Sequence, residues 1–266
     1  VATGRLSSSD PNLQNIPIKG VEGKKIREAF VPEDGFLLVS SDYSQIELRV
    51  LAHISGDDVL VDAFLNDLDI HSRVASEVFR VDAEHVTPEM RRTAKVINFG
   101  IVYGMSGYGL SKELGVGPRE AQSYIDAYFE RHKGIREYIE RTLAEAREKG
   151  FVRTLFGRIR YMPELSNADA NVRQFGERTA MNTPIQGTAA DIIKMAMVNI
   201  HRKLKEGKSR TRLIMQIHDE LVFEVPEGEI DGMKAMIRHE MEHVCDLRVP
   251  LKVSMGQGRN WAEAHD

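Results

Sequence analysis

Apolar residues fall in short runs near the two ends of the chain and in a helical period through its middle. Phe36-Leu37-Leu38-Val39 opens a buried strand over 36–42, and 43–54 reads as a helix started at its end. From about 58 to 150 the pattern is almost wholly helical, with breaks near Pro88, Gly104 to Gly109, Gly115 to Pro118 and Gly134. Phe151-Val152-Arg153-Thr154-Leu155 reads as a short β piece that turns at Gly157 and returns through Ile159 and Tyr161. Residues 167–182 and 186–206 read as two helices separated at Pro184, because proline interrupts the hydrogen-bond ladder. Residues 212–225 read as a β-hairpin, 229–246 as a helix and 249–255 as a final strand. Residues 1–20, rich in Ser, Asn, Pro and Gly, read as extended loop, and no repeat interrupts the chain. Strands at both ends with helices between predict an α+β domain, residues 1–53 and 167–266, interrupted by a helical insertion over 54–166.

Composition narrows the class only slightly. With 266 residues and 42% hydrophobic content, the chain can bury one large or two small cores. A formal net charge of -4 weighs mildly against a nucleic-acid binder. Distribution matters more than balance: Lys149, Arg153, Arg158 and Arg160 cluster, as do Lys203, Lys205, Lys208, Arg210 and Arg212. Each cluster is either a solvated face or an anion-binding one. The single cysteine, Cys245, excludes an internal disulfide and sits among Met241, Val244 and Leu247 as a buried thiol would. A reducing, cytoplasmic setting is expected, since no secretory signal or membrane-spanning run is visible. Because Val1 is not an initiator Met, a fragment or processed product is expected.

Two acidic segments carry the first chemical signal. Asp42-Tyr43-Ser44-Gln45-Ile46-Glu47 follows the first apolar strand, and His218-Asp219-Glu220 lies between Leu213-Ile214-Met215 and Leu221-Val222-Phe223. Taken singly, Asp42 reads as a helix N-cap and Asp219-Glu220 as turn residues. Brought together between apolar strands, such carboxylates would repel unless a cation lay between them. Oxygen ligands of this kind suit Mg²⁺, which completes its shell with water and phosphate oxygens. The second signal is a helix from Thr87-Pro88 to Gly104. Met90, Ala94, Ile97 and Ile101 form its core face, while Arg91, Lys95, Phe99 and Tyr103 step by four along another. Two cations followed by two rings match a nucleoside triphosphate, although an amphipathic helix with rings packed on a neighbour has the same spacing.

Asp42-Tyr43-Ser44-Gln45-Ile46-Glu47-Leu48-Arg49, Arg91-x-x-x-Lys95-x-x-x-Phe99-Gly100-x-x-Tyr103-Gly104 and Gln216-x-His218-Asp219-Glu220 resemble the three signature motifs of family A DNA polymerases, the bacterial DNA polymerase I group. Thr3-Gly4-Arg5-Leu6-Ser7-Ser8, Asp10-Pro11-Asn12-Leu13-Gln14-Asn15 and Thr183-Pro184-x-Gln186-Gly187-Thr188-Ala189-Ala190-Asp191 extend the resemblance to the flanks. The similarity runs from end to end with order and spacing kept.

The resemblance implies a right-hand architecture. Residues 1–53 and 167–266 would form the palm and 54–166 the fingers, with the thumb absent. It implies template-directed addition of deoxynucleoside triphosphates to a primer 3′-hydroxyl with two Mg²⁺ ions, for which Mn²⁺ can substitute. Asp42, the Tyr43 backbone carbonyl and Asp219 would hold the metals, with Glu220 and His218 beside them. Arg91, Lys95 and His71 would meet phosphates, with Lys95 also the general acid on pyrophosphate. Glu47 would exclude the ribose 2′-hydroxyl, Phe99 would pack near the sugar 3′ position, Tyr103 would stack near the templating base, and Gln45 would line the nucleotide site. Arg5, Arg178, Asn182, Gln186 and His218 would contact primer-template DNA, chiefly in the minor groove, whose acceptors are degenerate between base pairs. A monomer of a bacterial or phage-infected cell, associated with the nucleoid, is expected, as is a separate thumb-bearing segment preceding the palm. Without that segment, binding with little or no turnover is the alternative. A two-metal nuclease would also need paired acids but not the Arg-Lys-Phe-Tyr stripe. Dinucleotide and P-loop folds are disfavoured, since Gly107-x-Gly109 is followed by Lys112 where a glycine is needed.

Overall fold

The computed structural model describes residues 1–17 and 20–265. The chain divides into two compact units, one of Val1–Ile46, Ala189–Asp246 and Leu251–Asp266, the other of Glu47–Thr188 and Leu247–Pro250. In chain order the main elements are α1 (Val21–Glu28), β1 (Phe36–Tyr43), α2 (Ile46–Ser55), α3 (Asp58–Leu65), α4 (Ile70–Phe79), α5 (Pro88–Val102), α6 (Gly107–Leu114), α7 (Pro118–Arg131) and α8 (Lys133–Lys149). They continue with β2 (Phe151–Arg153), β3 (Ile159–Tyr161), α9 (Ala170–Glu206), β4 (Arg212–Ile217), β5 (Glu220–Pro226), α10 (Ile230–Glu242), β6 (Val253–Gly258) and α11 (Trp261–His265). The class is α+β, as the apolar pattern predicts.

The first unit is built on an antiparallel sheet of order β4-β5-β1-β6. β1 is central, and its Leu38, Val39, Ser40 and Ser41 are buried. Leu38, Ile217, Val222, Trp261 and Ala264 form a core cluster beneath α11. The final strand lies at 253–258 rather than 249–255. Gly256 and Gly258 do not end it; a Cβ on either would collide with the Ala264 carbonyl or Glu263. Glycine here admits a helix backbone against the strand. Neither α1 nor α11 was expected. α11 is only five residues long and is held by burial of Trp261, Ala262 and Ala264 rather than by helical periodicity.

The helix expected at 43–54 begins at Ile46, because Asp42 and Tyr43 stay in the sheet and Ser44 donates its N–H to Lys252 O (2.8 Å). Asp42 is therefore not that helix's N-cap. The two helices expected either side of Pro184 are one helix, α9. An interior proline costs about 3 kcal/mol. Here residues 183–185 and 187–193 are buried, and Thr183 Oγ1 donates to Thr179 O (2.7 Å), tying down the turn before the proline. Packing outweighs propensity.

In the helical unit the expected breaks are caps. Thr87 Oγ1 accepts from Met90 N (3.2 Å) with Pro88 at the first turn of α5, and Gly104, at φ +65, ends it. Gly134 falls in the first turn of α8, where a Cβ would sit 2.8 Å from Asp57 Cα. Its N–H donates to Asp57 Oδ2 (3.1 Å). Asp57 also caps α3 through Leu60 N (3.0 Å) and pairs with the fully buried His132, Nδ1 to Oδ1 2.9 Å. His132 Nε2 lies 3.3 Å from Glu77 Oε2, and the ring stacks on Tyr128 at 4.3 Å.

Burial alone would lower the pKa of His132, but hydrogen bonding and charge from Asp57 and Glu77 outweigh it and raise the value. Burial would raise both carboxyls, and the imidazolium outweighs that in turn and lowers them. A raised histidine stabilises fully below its unfolded pKa and loses that contribution as pH rises through its folded pKa; lowered carboxyls lose theirs on acidification. Unfolding free energy should therefore fall on the alkaline side of the histidine's titration. His132→Gln should remove that limb and cost about 3 kcal/mol near pH 6, as breaking a buried charged network does. Denaturant melts of both chains across pH 5 to 9 check it.

Candidate active site

Two carboxylates meet at the centre of the sheet. Asp42 lies opposite Glu220 on β5 and Ser254 on β6. Asp219 occupies the two-residue turn between β4 and β5, and its carbonyl accepts from Tyr43 N (3.2 Å), which fastens the turn to β1. Asp42 is pushed up to about 7 by burial first, then by the charges of Asp219 and Glu220. Burial likewise raises Asp219, with Arg5 partly offsetting it. Asp219 Oδ1 is buried and has no hydrogen-bond partner. An orphaned acceptor beside a carboxyl that resists ionisation is what a cation would relieve.

Glu220 is differently placed. Its Oε1 accepts from Ser40 Oγ (2.6 Å) and Trp261 Nε1 (2.9 Å), with His265 Nδ1 at 3.6 Å. These partners hold it inside the sheet next to Asp42. His218, at φ 51, takes the strained corner of the turn. Its N–H donates to Gln14 Oε1 (3.0 Å), and Gln14 Nε2 donates to Gln216 O (2.7 Å), so the N-terminal segment clamps the hairpin. Tyr43 donates its hydroxyl to Met241 O (2.7 Å), fixing β1 to α10. Gln45, at φ 53, lies in the turn after β1.

The helical unit gathers the other set. α5 presents Arg91 and Lys95 exposed and Phe99 and Tyr103 half-buried, with Ala94, Ile97 and Ile101 buried on its core face. Phe99 and Tyr103 stack with centroids 6.4 Å apart, and Phe99 lies 6.0 Å from His71. Arg91 Nε donates to Asp69 Oδ2 at 2.5 Å. Burial would raise Asp69, but hydrogen bonds from Arg91 and Ser72 bring it down to about 2. His71 is buried, and burial first, then Arg91 and Lys95, lower it to about 4 against the pull of Asp69. Its Nδ1 lies 3.1 Å from Asn98 Nδ2 and accepts from that amide. The Tyr103 hydroxyl donates to Glu47 Oε2 (2.9 Å), and Glu47 is buried. On α9, Arg178, Asn182 and Gln186 follow one another at four-residue steps; Arg178 is exposed and Asn182 Nδ2 donates to Tyr103 O (3.3 Å).

The sequence model of DNA polymerase family A matches residues 1–263. The chain belongs to this family. It is 56% identical over 263 residues to DNA polymerase I of Bacillus subtilis (strain 168), covering 98% of this chain and 30% of that protein. It is 52% identical over 263 residues to the thermostable DNA polymerase I of Thermus filiformis, covering 99% and 31%. The solved POL domain of Pol1 from M. smegmatis, in complex with DNA primer-template and dNTP, superposes with a TM-score of 0.96 at 47% identity. That match covers all of this chain and 47% of the other. The chain spans about 30% of the length of the curated relatives it matches.

Family A membership makes sense of side chains that periodicity passed over. Gln14, Ser40 and Trp261 orient the acidic hairpin, yet only Gln14 lay in a recognisable segment, and its role needs the fold to be seen. Among the described residues no group of three or more His, Cys, Asp or Glu is arranged to hold a metal. A Mg²⁺ ion usually takes one or two protein carboxylates and fills its shell with water and phosphate oxygens, so the donor chemistry of Asp42 and Asp219 fits one without a third acid.

In the cation-free chain a carboxyl NMR titration should place the Asp42 midpoint near 7. Asp219→Asn should lower it, with burial still holding it above the ordinary aspartate value. Because this pKa is raised on folding, stability should fall as pH rises from the unfolded value through about 7. An ordinary midpoint would contradict the geometry.

Proposed function

We propose that this chain carries the catalytic core of template-directed DNA synthesis, adding deoxynucleoside triphosphates to a primer 3′-hydroxyl with release of pyrophosphate. The observation that carries the reading is the desolvated pair Asp42 and Asp219, one pushed up to about 7 and the other with an orphaned buried oxygen. The M. smegmatis complex, with primer-template and dNTP, supports extending this reading to DNA and nucleotide partners.

Asp42 and Asp219, with the Tyr43 carbonyl, would hold two Mg²⁺. When bound, these ions would acidify the primer hydroxyl and neutralise the leaving pyrophosphate. Glu220, tied to Ser40 and Trp261, positions Asp42 and the turn rather than touching substrate. Arg91 would exchange Asp69 for a phosphate oxygen, and Lys95 would meet the triphosphate and protonate pyrophosphate. His71, kept neutral by burial, braces α4 against α5 by accepting from Asn98 at Nδ1, and its Nε2–H would donate to a phosphate oxygen. The Tyr103 hydroxyl holds Glu47 where its bulk would oppose a 2′-hydroxyl, and Phe99 would flank the sugar 3′ position. Arg5, Arg178, Asn182, Gln186 and His218 would line the duplex, and Asn182 Nδ2 also donates to Tyr103 O at the end of α5.

Primer extension with Mg²⁺ tests the proposal. The parent chain should extend, and Asp219→Ala should lose incorporation while keeping its fold; equal rates would remove the metal assignment. Phe99→Tyr should raise dideoxynucleotide use relative to deoxynucleotides, because the added hydroxyl can replace the missing 3′-hydroxyl as a donor. A flat ratio in single-turnover assays would sink that role.

A further inference from the structure

The C-terminal end of α10 reads His239-Glu240-Met241-Glu242-His243. Residues four apart on a helix share a face. Both histidines are exposed, and their rings lie together at 4.5 Å between centroids and 26° between planes. His243 Nδ1 is 3.1 Å from the His239 carbonyl oxygen. A carbonyl can only accept, so Nδ1 carries the proton and Nε2 keeps its lone pair for another partner. A ring N–H tied to a backbone carbonyl, with the other nitrogen left to ligate, is how metal-binding histidines are oriented. The support is rigid as well. Met241, between the two histidines, is buried, and its carbonyl accepts from the Tyr43 hydroxyl at 2.7 Å. The negative end of the helix dipole favours a cation here.

We propose that His239 and His243 chelate a borderline transition-metal ion, Zn²⁺, Ni²⁺ or Cu²⁺, with water filling its remaining positions. Imidazole nitrogens select these ions over Mg²⁺, which prefers oxygen. The site is therefore chemically distinct from the oxygen-donor pair Asp42 and Asp219. The spacing also matches the His-Glu-x-x-His of zinc hydrolases, where a third ligand completes the centre. Among the described residues no third His, Cys, Asp or Glu joins the pair, so the site binds a metal without assembling that hydrolytic centre.

Calorimetric titration of the chain with NiCl₂ in millimolar MgCl₂ tests the proposal. One saturable equivalent is expected. Either His239→Ala or His243→Ala should weaken it by about tenfold or more, at least what loss of an outer-shell partner costs. Independently, substoichiometric Cu²⁺ should broaden the ring signals of His239 and His243 in the unaltered chain before those of the other histidines. Absence of a saturable event, equal affinity in both variants, or broadening centred on other histidines would overturn the site.

Discussion

Everything in the sheet unit depends on keeping acids where water is scarce. β1 is flanked on both sides, so Asp42 sits in the middle of a paired sheet rather than at an edge. Glu220 directly opposite and Asp219 in the adjoining turn make ionisation there costly. Glu220 is satisfied by Ser40 and Trp261 and so stays in the protein's own hydrogen-bond network. Asp219 Oδ1 is buried without such a partner, and the neighbouring Asp42 is pushed up to about 7. A cation between them would meet both demands.

The helical unit handles the opposite charge by pairing it in advance. Arg91 rests on Asp69, which also caps α4, so the cation is held at a helix start. A multiply charged phosphate would compete for it. The same helix orders its rings by stacking and by the Tyr103 to Glu47 hydrogen bond. Deeper in the unit, the Asp57, His132 and Glu77 network fastens α3, α4 and the α7–α8 junction through buried charge.

Much of this was legible in the chain. The strand before Asp42, the hairpin around Asp219, the Thr87-Pro88 start and Gly104 stop of α5, and the small β2–β3 hairpin follow from apolar spacing and turn chemistry. What failed did so for tertiary reasons. Pro184 breaks an isolated helix but not one buried on either side of it, and glycines 256 and 258 mark a close helix approach rather than a strand end. The stripe Arg91, Lys95, Phe99, Tyr103 could be read from its spacing, but the Asp69 pairing and the burial of His71 could not, because both link residues about 20 or more positions apart. Glu220 and Asp219 are neighbours in sequence, and only the partners Ser40 and Trp261 separate their roles.

The central claim is that Asp42 and Asp219 together form a cation seat. Anomalous diffraction from crystals of the chain grown with Mn²⁺ and a deoxynucleoside triphosphate tests it most directly. The account predicts anomalous peaks against both carboxylates, with Asp219 Oδ1 among the ligands. Fully occupied manganese elsewhere on the triphosphate, with Asp42 protonated and Asp219 Oδ1 still unpartnered, would contradict it.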